Sequence, residues 1–241
     1  MARELTITGA RGAPYDIQAV VFDFDDTLAD TLEARVHAMR ETFAWAGIAE
    51  PSADSFVQQQ RGIPLAVSLD TFEAARGLEK GMLQAYRSAY WVKEPGLWSL
   101  FGGVKELIDG LRTAGAPIGI VTSKSRDLVV EGRPARTLVE LDELGLSWLG
   151  ATTVGFEDVK APKPDPEGIK RVLALLGARA ERTLVVGDST ADIQAAHDAG
   201  CWSCLAGWDV PEDARELELA MPDVIAEHPS ALHGLLGLGG S

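Results

Sequence analysis

Residues 17–23 read Ile-Gln-Ala-Val-Val-Phe-Asp, a short and nearly continuous apolar run of the kind that fills a strand buried on both faces of a parallel sheet. Comparable runs recur at 117–122 and Thr183–Gly187, and more weakly at 150–154 and 201–206. Between them lie stretches with apolar residues at helical spacing: Val104–Ala114, 137–144, Glu167–Leu176 and 191–199. Strand alternating with helix predicts an α/β fold, a Rossmann-like doubly wound parallel sheet with crossover helices.

One segment breaks the alternation. From residue 30 to residue 98 no strand pattern occurs, only helical ones at 31–46, 53–60 and 79–92, punctuated by Pro51, Gly62, Pro64, Gly77 and Gly81. A crossover of this length exceeds what a simple strand–helix–strand connection needs. The expected organisation is therefore a catalytic α/β core formed by 16–30 and 99–241, with an all-helical domain, 31–98, inserted after the first strand. Residues 1–15 read as a loose N-terminal extension, and 235–241 (LLGLGGS) as a frayed end.

Composition narrows the partners. The chain has 241 residues, 46% of them hydrophobic, and a net charge of −14, so its long-range field repels nucleic acid and anionic membranes. No run approaches the roughly 18 apolar residues of a membrane span. The beginning of the chain lacks the apolar core of a secretory signal, and two cysteines are too few for a disulfide framework. The expected location is the cytoplasm. A small anionic substrate remains compatible with the charge, provided a local cation offsets it.

The acidic residues fall where that cation would be needed. Asp23 ends the first apolar run, Thr122 the second, and Asp188 follows Gly187 at the end of a third. Ligands of open α/β sheets bind outside the carboxyl ends of the strands, so these residues are expected to converge on one crevice. Asp23 and Asp25, one residue apart at a strand end, repel each other unless a cation lies between them. Hard oxygen donors of this kind favour Mg²⁺. Asp188 and Asp192 repeat the arrangement at the start of a helix, although aspartates also cap helices and fill turns without any ligand.

Together these motifs resemble the haloacid dehalogenase superfamily of phosphatases, over roughly residues 19–204. VVFDFDDT would place Asp23 as the nucleophile and Asp25 as the acid/base. IGIVTS would place Thr122 as the phosphate-binding hydroxyl, with Ser123 beside it as a substrate contact. KPDPEGI would supply Lys163 as the active-site lysine, Lys160 being the fallback. VVGDSTAD would add Asp188 and Asp192 to a Mg²⁺ site shared with Asp23 and the backbone carbonyl of Asp25. The helical insertion resembles the family's first type of cap, and Arg61 in its Arg61-Gly62-Ile63-Pro64 turn is a candidate contact for the leaving group. Asp26 departs from the family pattern, which has glycine there.

The resemblance implies a phosphohydrolase acting on a small phosphorylated metabolite, in the phosphoglycolate phosphatase or pyrophosphatase branches. The alternatives are a phosphomutase of the β-phosphoglucomutase type and a non-catalytic binding module. Cys201-Trp202-Ser203-Cys204 matches C-x-x-C but follows a helix and reads as a strand, so it is assigned to structure. Trp91, Trp98 and Phe101 are expected to pack where the inserted segment returns to the core.

Overall fold

Side chains alternate across a strand, and the central strand of this protein sorts its residues accordingly: Val20 and Phe22 join one apolar cluster, Val21 another. The structure is a computed structural model describing residues 5–8, 14–49, 51–60, 62–93, 97–209 and 220–238. In chain order the strands are β1 (Leu5–Thr8), β2 (Pro14–Ile17), β3 (Ala19–Phe22), β4 (Ala29–Asp30), β5 (Ser99–Leu100), β6 (Ile118–Val121), β7 (Val129–Val130), β8 (Arg133–Pro134), β9 (Thr153–Val154), β10 (Thr183–Gly187), β11 (Trp202–Ala206) and β12 (Val224–Ala226). The α-helices are α1 (Leu32–Ala46), α2 (Ala53–Gln59), α3 (Leu65–Arg76), α4 (Met82–Ser88), α5 (Val104–Ala114), α6 (Thr137–Glu143), α7 (Glu167–Leu176), α8 (Thr190–Ala199) and a last one, α9 (Pro229–Leu235).

Six strands form one parallel sheet in the order β12-β11-β10-β3-β6-β9. The chain moves outward from β3 through β6 to β9, then returns to the other side of β3 with β10. The order therefore reverses at β3, and the carboxyl end of β3 is the switch point where such sheets bind ligands. On one face Val20, Phe22, Ile120 and Val186 pack with Leu107, Ile108 and Leu111 of α5, Leu141 of α6 and Leu232 of α9. On the other, Val21, Val121 and Val185 pack with Ile169, Val172 and Leu173 of α7 and Ala195 and Ala196 of α8. With helices on both faces the sheet is doubly wound, in agreement with the alternation in the sequence. None of the helices among the described residues is long and apolar enough to cross a membrane.

Helices α1–α4, extended by a π turn at Ala89–Lys93, occupy the stretch between β4 and β5. Their apolar cluster is distinct from the two sheet clusters and is rich in rings. Phe43, Phe56 and Phe72 lie 5.1–5.5 Å apart, and Tyr86, Tyr90, Trp91 and Trp98 continue the aromatic packing at 4.8–5.8 Å. Trp91 and Trp98 thus pack at the return to the sheet, as expected. The outgoing and incoming chains pair as an antiparallel ribbon, Ala29 with Leu100 and Asp30 with Ser99.

Four sequence expectations need correction. Within 1–15, read as a loose extension, the described residues Leu5–Thr8 pair as β1 antiparallel with β2. The 150–154 run is a strand only at Thr153–Val154, since Ser147–Thr152 coils into a 3-10 helix. Helix α3 escaped detection because polar Ser68 and Glu73 share its buried face with Leu69. The Glu73 carboxylate accepts 2.8 Å bonds from the backbone of Gly81 and Met82 and so closes the start of α4. Within 235–241, read as a frayed end, Leu236 is buried in the core and Leu238 packs against it.

The turn after β3 carries the departure at Asp26. Its φ is +59°, a left-handed conformation that glycine adopts freely and aspartate better than most residues. The backbone N–H of Asp26 donates to the carbonyl of Ala29 at 2.9 Å. Its buried carboxylate meets the guanidinium of Arg35 from α1. Burial alone would lower the pKa of Arg35, but Asp26 and Asp25 outweigh it and hold the guanidinium charged. The third carboxylate is therefore neutralised by the helical segment.

Removing one member of such a pair strands the other. Arg35→Met is expected to destabilise the fold by about 3 kcal/mol, and Asp26→Gly in the same chain to recover most of the loss. Urea unfolding of the single and double variants reads this directly, and an unchanged midpoint for Arg35→Met would show the pair to be idle.

Candidate active site

The parallel register brings three strand ends level. Phe22 pairs with Val186 on one side and Ile120 on the other, so Asp23, Thr122 and Asp188 emerge together just beyond the sheet. The N–H of Asp23 still donates to the Val186 carbonyl at 2.8 Å, and that of Thr122 to the Val154 carbonyl at 3.0 Å. These bonds anchor the backbone at the mouth of the crevice. Asp23, Thr122, Lys163, Asp188 and Asp192 are all under 10% exposed.

Asp192 reaches this group from the first turn of α8. It forms a capping box with Ser189, whose backbone and hydroxyl donate to Asp192 Oδ2 at 3.1 and 2.5 Å. The helix-capping use of this aspartate is therefore real, and it leaves Oδ1 directed to Lys163 at 2.5 Å. Gly187 permits the approach, because a Cβ there would lie 2.4 Å from Asp192 Cβ and Cγ. Lys163 Nζ also lies 2.5 Å from Asp23 Oδ1. Lys160, by contrast, is exposed.

One oxygen each from Asp23, Asp188 and Asp192 falls within 4.8 Å of the others. Burial, chiefly, and repulsion from Asp192 and Asp25 push the Asp23 pKa up to about 7 against the pull of Lys163. Burial works against the charge on Lys163, but Asp192 and Asp23 hold it protonated. Asp23 and Asp192 share the one ammonium of Lys163, and the buried oxygen donors that they gather with Asp188 suit a hard divalent cation. Asp25 stands outside this trio.

Asp25 belongs to a second cluster. Its Oδ1 accepts from the Thr31 hydroxyl at 2.6 Å and lies 2.9 Å from Lys124 Nζ. Burial raises its pKa, but Lys124, Arg35 and Thr31 prevail and keep the carboxyl below its ordinary value. Lys124 is in turn 2.7 Å from Glu140 Oε1, which also accepts from the Tyr90 hydroxyl at 2.7 Å. Glu140 is fully buried, and burial pushes its pKa up to about 7 despite Lys124.

Above the carboxylates lies a cavity of about 160 Å³ between sheet and helical segment. Met39, Phe56, Leu65, Tyr86, Trp91 and Phe156 give it an apolar wall, and Ser123 reaches it beside Thr122. The helical segment closes onto the sheet at Gly62 (φ +74°), where a Cβ would stand 3.0 Å from Ser189 Cβ. Arg61, the sequence candidate for a leaving-group contact, lies outside the described residues.

Asp23, Asp25, Thr122, Ser123, Lys163, Asp188 and Asp192 thus share one site. Lys124, Glu140, Tyr90 and Arg35 were not anticipated. For Lys124 a signal existed, since it follows Thr122 and Ser123 directly. The other three are unremarkable helix residues whose meeting depends on tertiary packing. The C-x-x-C pair lies elsewhere, with Cys204 and the intervening residues in β11. Both thiols are buried and, mainly for that reason, their pKa values are pushed up to about 12.

Residues 20–206 match the profile of the family described as haloacid dehalogenase-like hydrolase. A pyrophosphatase PpaX of Bacillus velezensis is 31% identical over 228 residues, covering 92% of this chain and 97% of that protein. A phosphoglycolate phosphatase of Shigella boydii is 29% identical over 251 residues, covering 92% and 94%. Among solved structures, a hydrolase from Pseudomonas syringae superposes with a TM-score of 0.74 at 23% identity, covering 93% of this chain and 100% of that one. With the profile spanning most of the chain and relatives aligned almost end to end, the protein belongs to the haloacid dehalogenase-like hydrolases.

Proposed function

We propose that the protein is a Mg²⁺-dependent phosphohydrolase that cleaves a small phosphorylated metabolite through an aspartyl-phosphate on Asp23. The observation that carries this reading is the contact of Lys163 with Asp23, 2.5 Å, beside the Asp188 and Asp192 carboxylates at the switch point of the sheet. A carboxylate in such surroundings is a nucleophile for phosphorus, and the lysine is the cation that the acidic chain needs to admit an anion.

In the first step Asp23 attacks phosphorus through a carboxylate oxygen while the bond to the leaving oxygen breaks. Asp25 gives that oxygen a proton. In the second step Asp25 takes a proton from water, the water oxygen bonds to phosphorus, and the Asp23–phosphorus linkage opens to regenerate the carboxylate. Lys124, Arg35 and Thr31 keep Asp25 ionised in the resting site, the form that can accept a proton. A bound phosphate adds negative charge nearby and moves Asp25 toward the protonated acid.

Asp23, Asp188 and Asp192, with the Asp25 carbonyl, would hold Mg²⁺, whose charge when bound would offset that of the transferring phosphoryl group. Lys163 bridges nucleophile and phosphate, and Thr122 with Ser123 offers hydroxyls to the phosphate oxygens. The names of the aligned relatives make pyrophosphate and phosphoglycolate the first substrates to test. Phosphate release from a panel of these, sugar phosphates and nucleotides identifies the class.

Two outcomes are expected. Asp23→Asn should keep the unfolding midpoint near that of the parent and lose roughly 10³-fold or more in kcat, because an amide cannot form the acyl phosphate. Substantial turnover by a pure, metal-loaded variant would sink the covalent route. Exhaustive chelation should abolish phosphate release, and Mg²⁺ should restore it better than the larger, more loosely coordinated Ca²⁺. Undiminished activity after chelation would remove the metal from the mechanism.

A further inference from the structure

Lys124 has no part in the steps above, yet it is a tightly held cation at the site. Its ammonium has three N–H donors, and three acceptors surround it: Asp25 Oδ1 at 2.9 Å, Glu140 Oε1 at 2.7 Å and the Tyr90 hydroxyl at 3.0 Å. The Tyr90 hydroxyl passes its own proton toward Glu140 Oε1 at 2.7 Å, so the hydrogen bonds run in one consistent direction. Rings of Phe24, Tyr90 and Trp91 stand 5.4, 4.8 and 5.8 Å from Nζ, within the range where aromatic faces attract a cation. With every donor matched, the ammonium is fixed in place and has none left for a substrate.

The effect of this socket falls on one atom of Asp25. Thr31 and Lys124 both approach Oδ1. Among the described residues no hydrogen bond or ion pair is made to Oδ2. One oxygen of the carboxylate is pinned, and its partner is left for proton transfer. Thr31 begins α1, Tyr90 and Trp91 lie in the π turn after α4, Lys124 follows β6, and Glu140 is on α6. The socket is therefore complete only when the helical segment is seated against the sheet.

We propose that Lys124 is the positioning residue of Asp25. With Thr31 it fixes Oδ1 so that Oδ2 carries the proton in both steps, and Tyr90 makes this orientation depend on the seating of the helical segment. The proposal rests on Asp25 acting as acid and base, as set out above. A purely structural role competes with it: Lys124 would merely neutralise buried Glu140. Buried ion pairs are commonly replaced by apolar residues without loss of stability, so that role by itself predicts a variant with normal turnover once both charges are removed.

The test uses Lys124→Met combined with Glu140→Gln, which removes the cation from Asp25 without leaving Glu140 charged and unpaired. This chain is expected to lose about 10²-fold in kcat on an alkyl phosphate, with KM changed less than about threefold. On 4-nitrophenyl phosphate it should release a rapid burst of one equivalent of nitrophenol followed by slow turnover. The activated phenol leaves without a proton, while hydrolysis of the phosphoenzyme still needs an oriented base. Adding the same two substitutions to Asp25→Ala should cost nothing further, because Lys124 acts through Asp25. Full loss compounded on Asp25→Ala would overturn the proposal, as would normal kcat in the Lys124 and Glu140 variant. An Asp25→Ala enzyme with parental activity would instead overturn the role of Asp25, and the positioning role with it. Tyr90→Phe keeps the ring and removes one hydroxyl; a loss of about tenfold in kcat with the same burst supports the link to the helical segment, and an unchanged kcat refutes it.

Discussion

Three carboxylates leave β3 within four residues, at Asp23, Asp25 and Asp26, and their mutual repulsion is the constraint around which the rest is arranged. Each is met by a cation from a different part of the chain: Asp23 by Lys163, Asp25 by Lys124, Asp26 by Arg35. The first pair spans 140 residues of sequence. Lys163 precedes α7, Lys124 follows β6, and Arg35 belongs to the helical segment, so charge balance at a single strand end holds two layers of the sheet structure and the segment above it in register. The acidic overall charge makes these local cations the more necessary, because the field of the whole molecule opposes gathering anions in one place.

Much of this was legible in the sequence because it rests on local patterns. Apolar runs fixed β3, β6 and β10, and residues that end such runs in a parallel sheet must lie at its carboxyl edge. Asp23, Thr122 and Asp188 could be placed together on that ground alone. Lys163 and Asp192 needed the order of motifs as well, since a lysine before a helix and an aspartate in a first turn have ordinary explanations, and Asp192 serves as a cap in addition to facing Lys163.

What escaped had no periodic signature. The contacts of Lys124 with Glu140 and of Tyr90 with Glu140 join positions 16 and 50 residues apart, and each partner alone resembles a solvated or packed helix residue. The Asp26 turn was visible as an anomaly, but its compensation by Arg35 was not, because it depends on how α1 leaves the sheet. Helix α3 and the β1–β2 pair escaped for want of a periodic pattern: buried polar side chains in one, and two short strands of four residues in the other, blur the hydrophobic signal that single-sequence reasoning requires.

The ribbon formed by β4 and β5 brings the two chain crossings of the helical segment side by side. Entry and exit at one point make the segment a graft: exchanging it whole would leave the path of the sheet untouched, and a new lining for the cavity could be acquired in a single recombination. Yet the graft is not chemically neutral. It brings Arg35, which settles Asp26, and the Tyr90 hydroxyl, which reaches Lys124. A transplanted segment lacking those groups would inherit the right attachment points and a misbalanced set of contacts beneath it, so side-chain chemistry limits the exchange as well as the fit of the backbone.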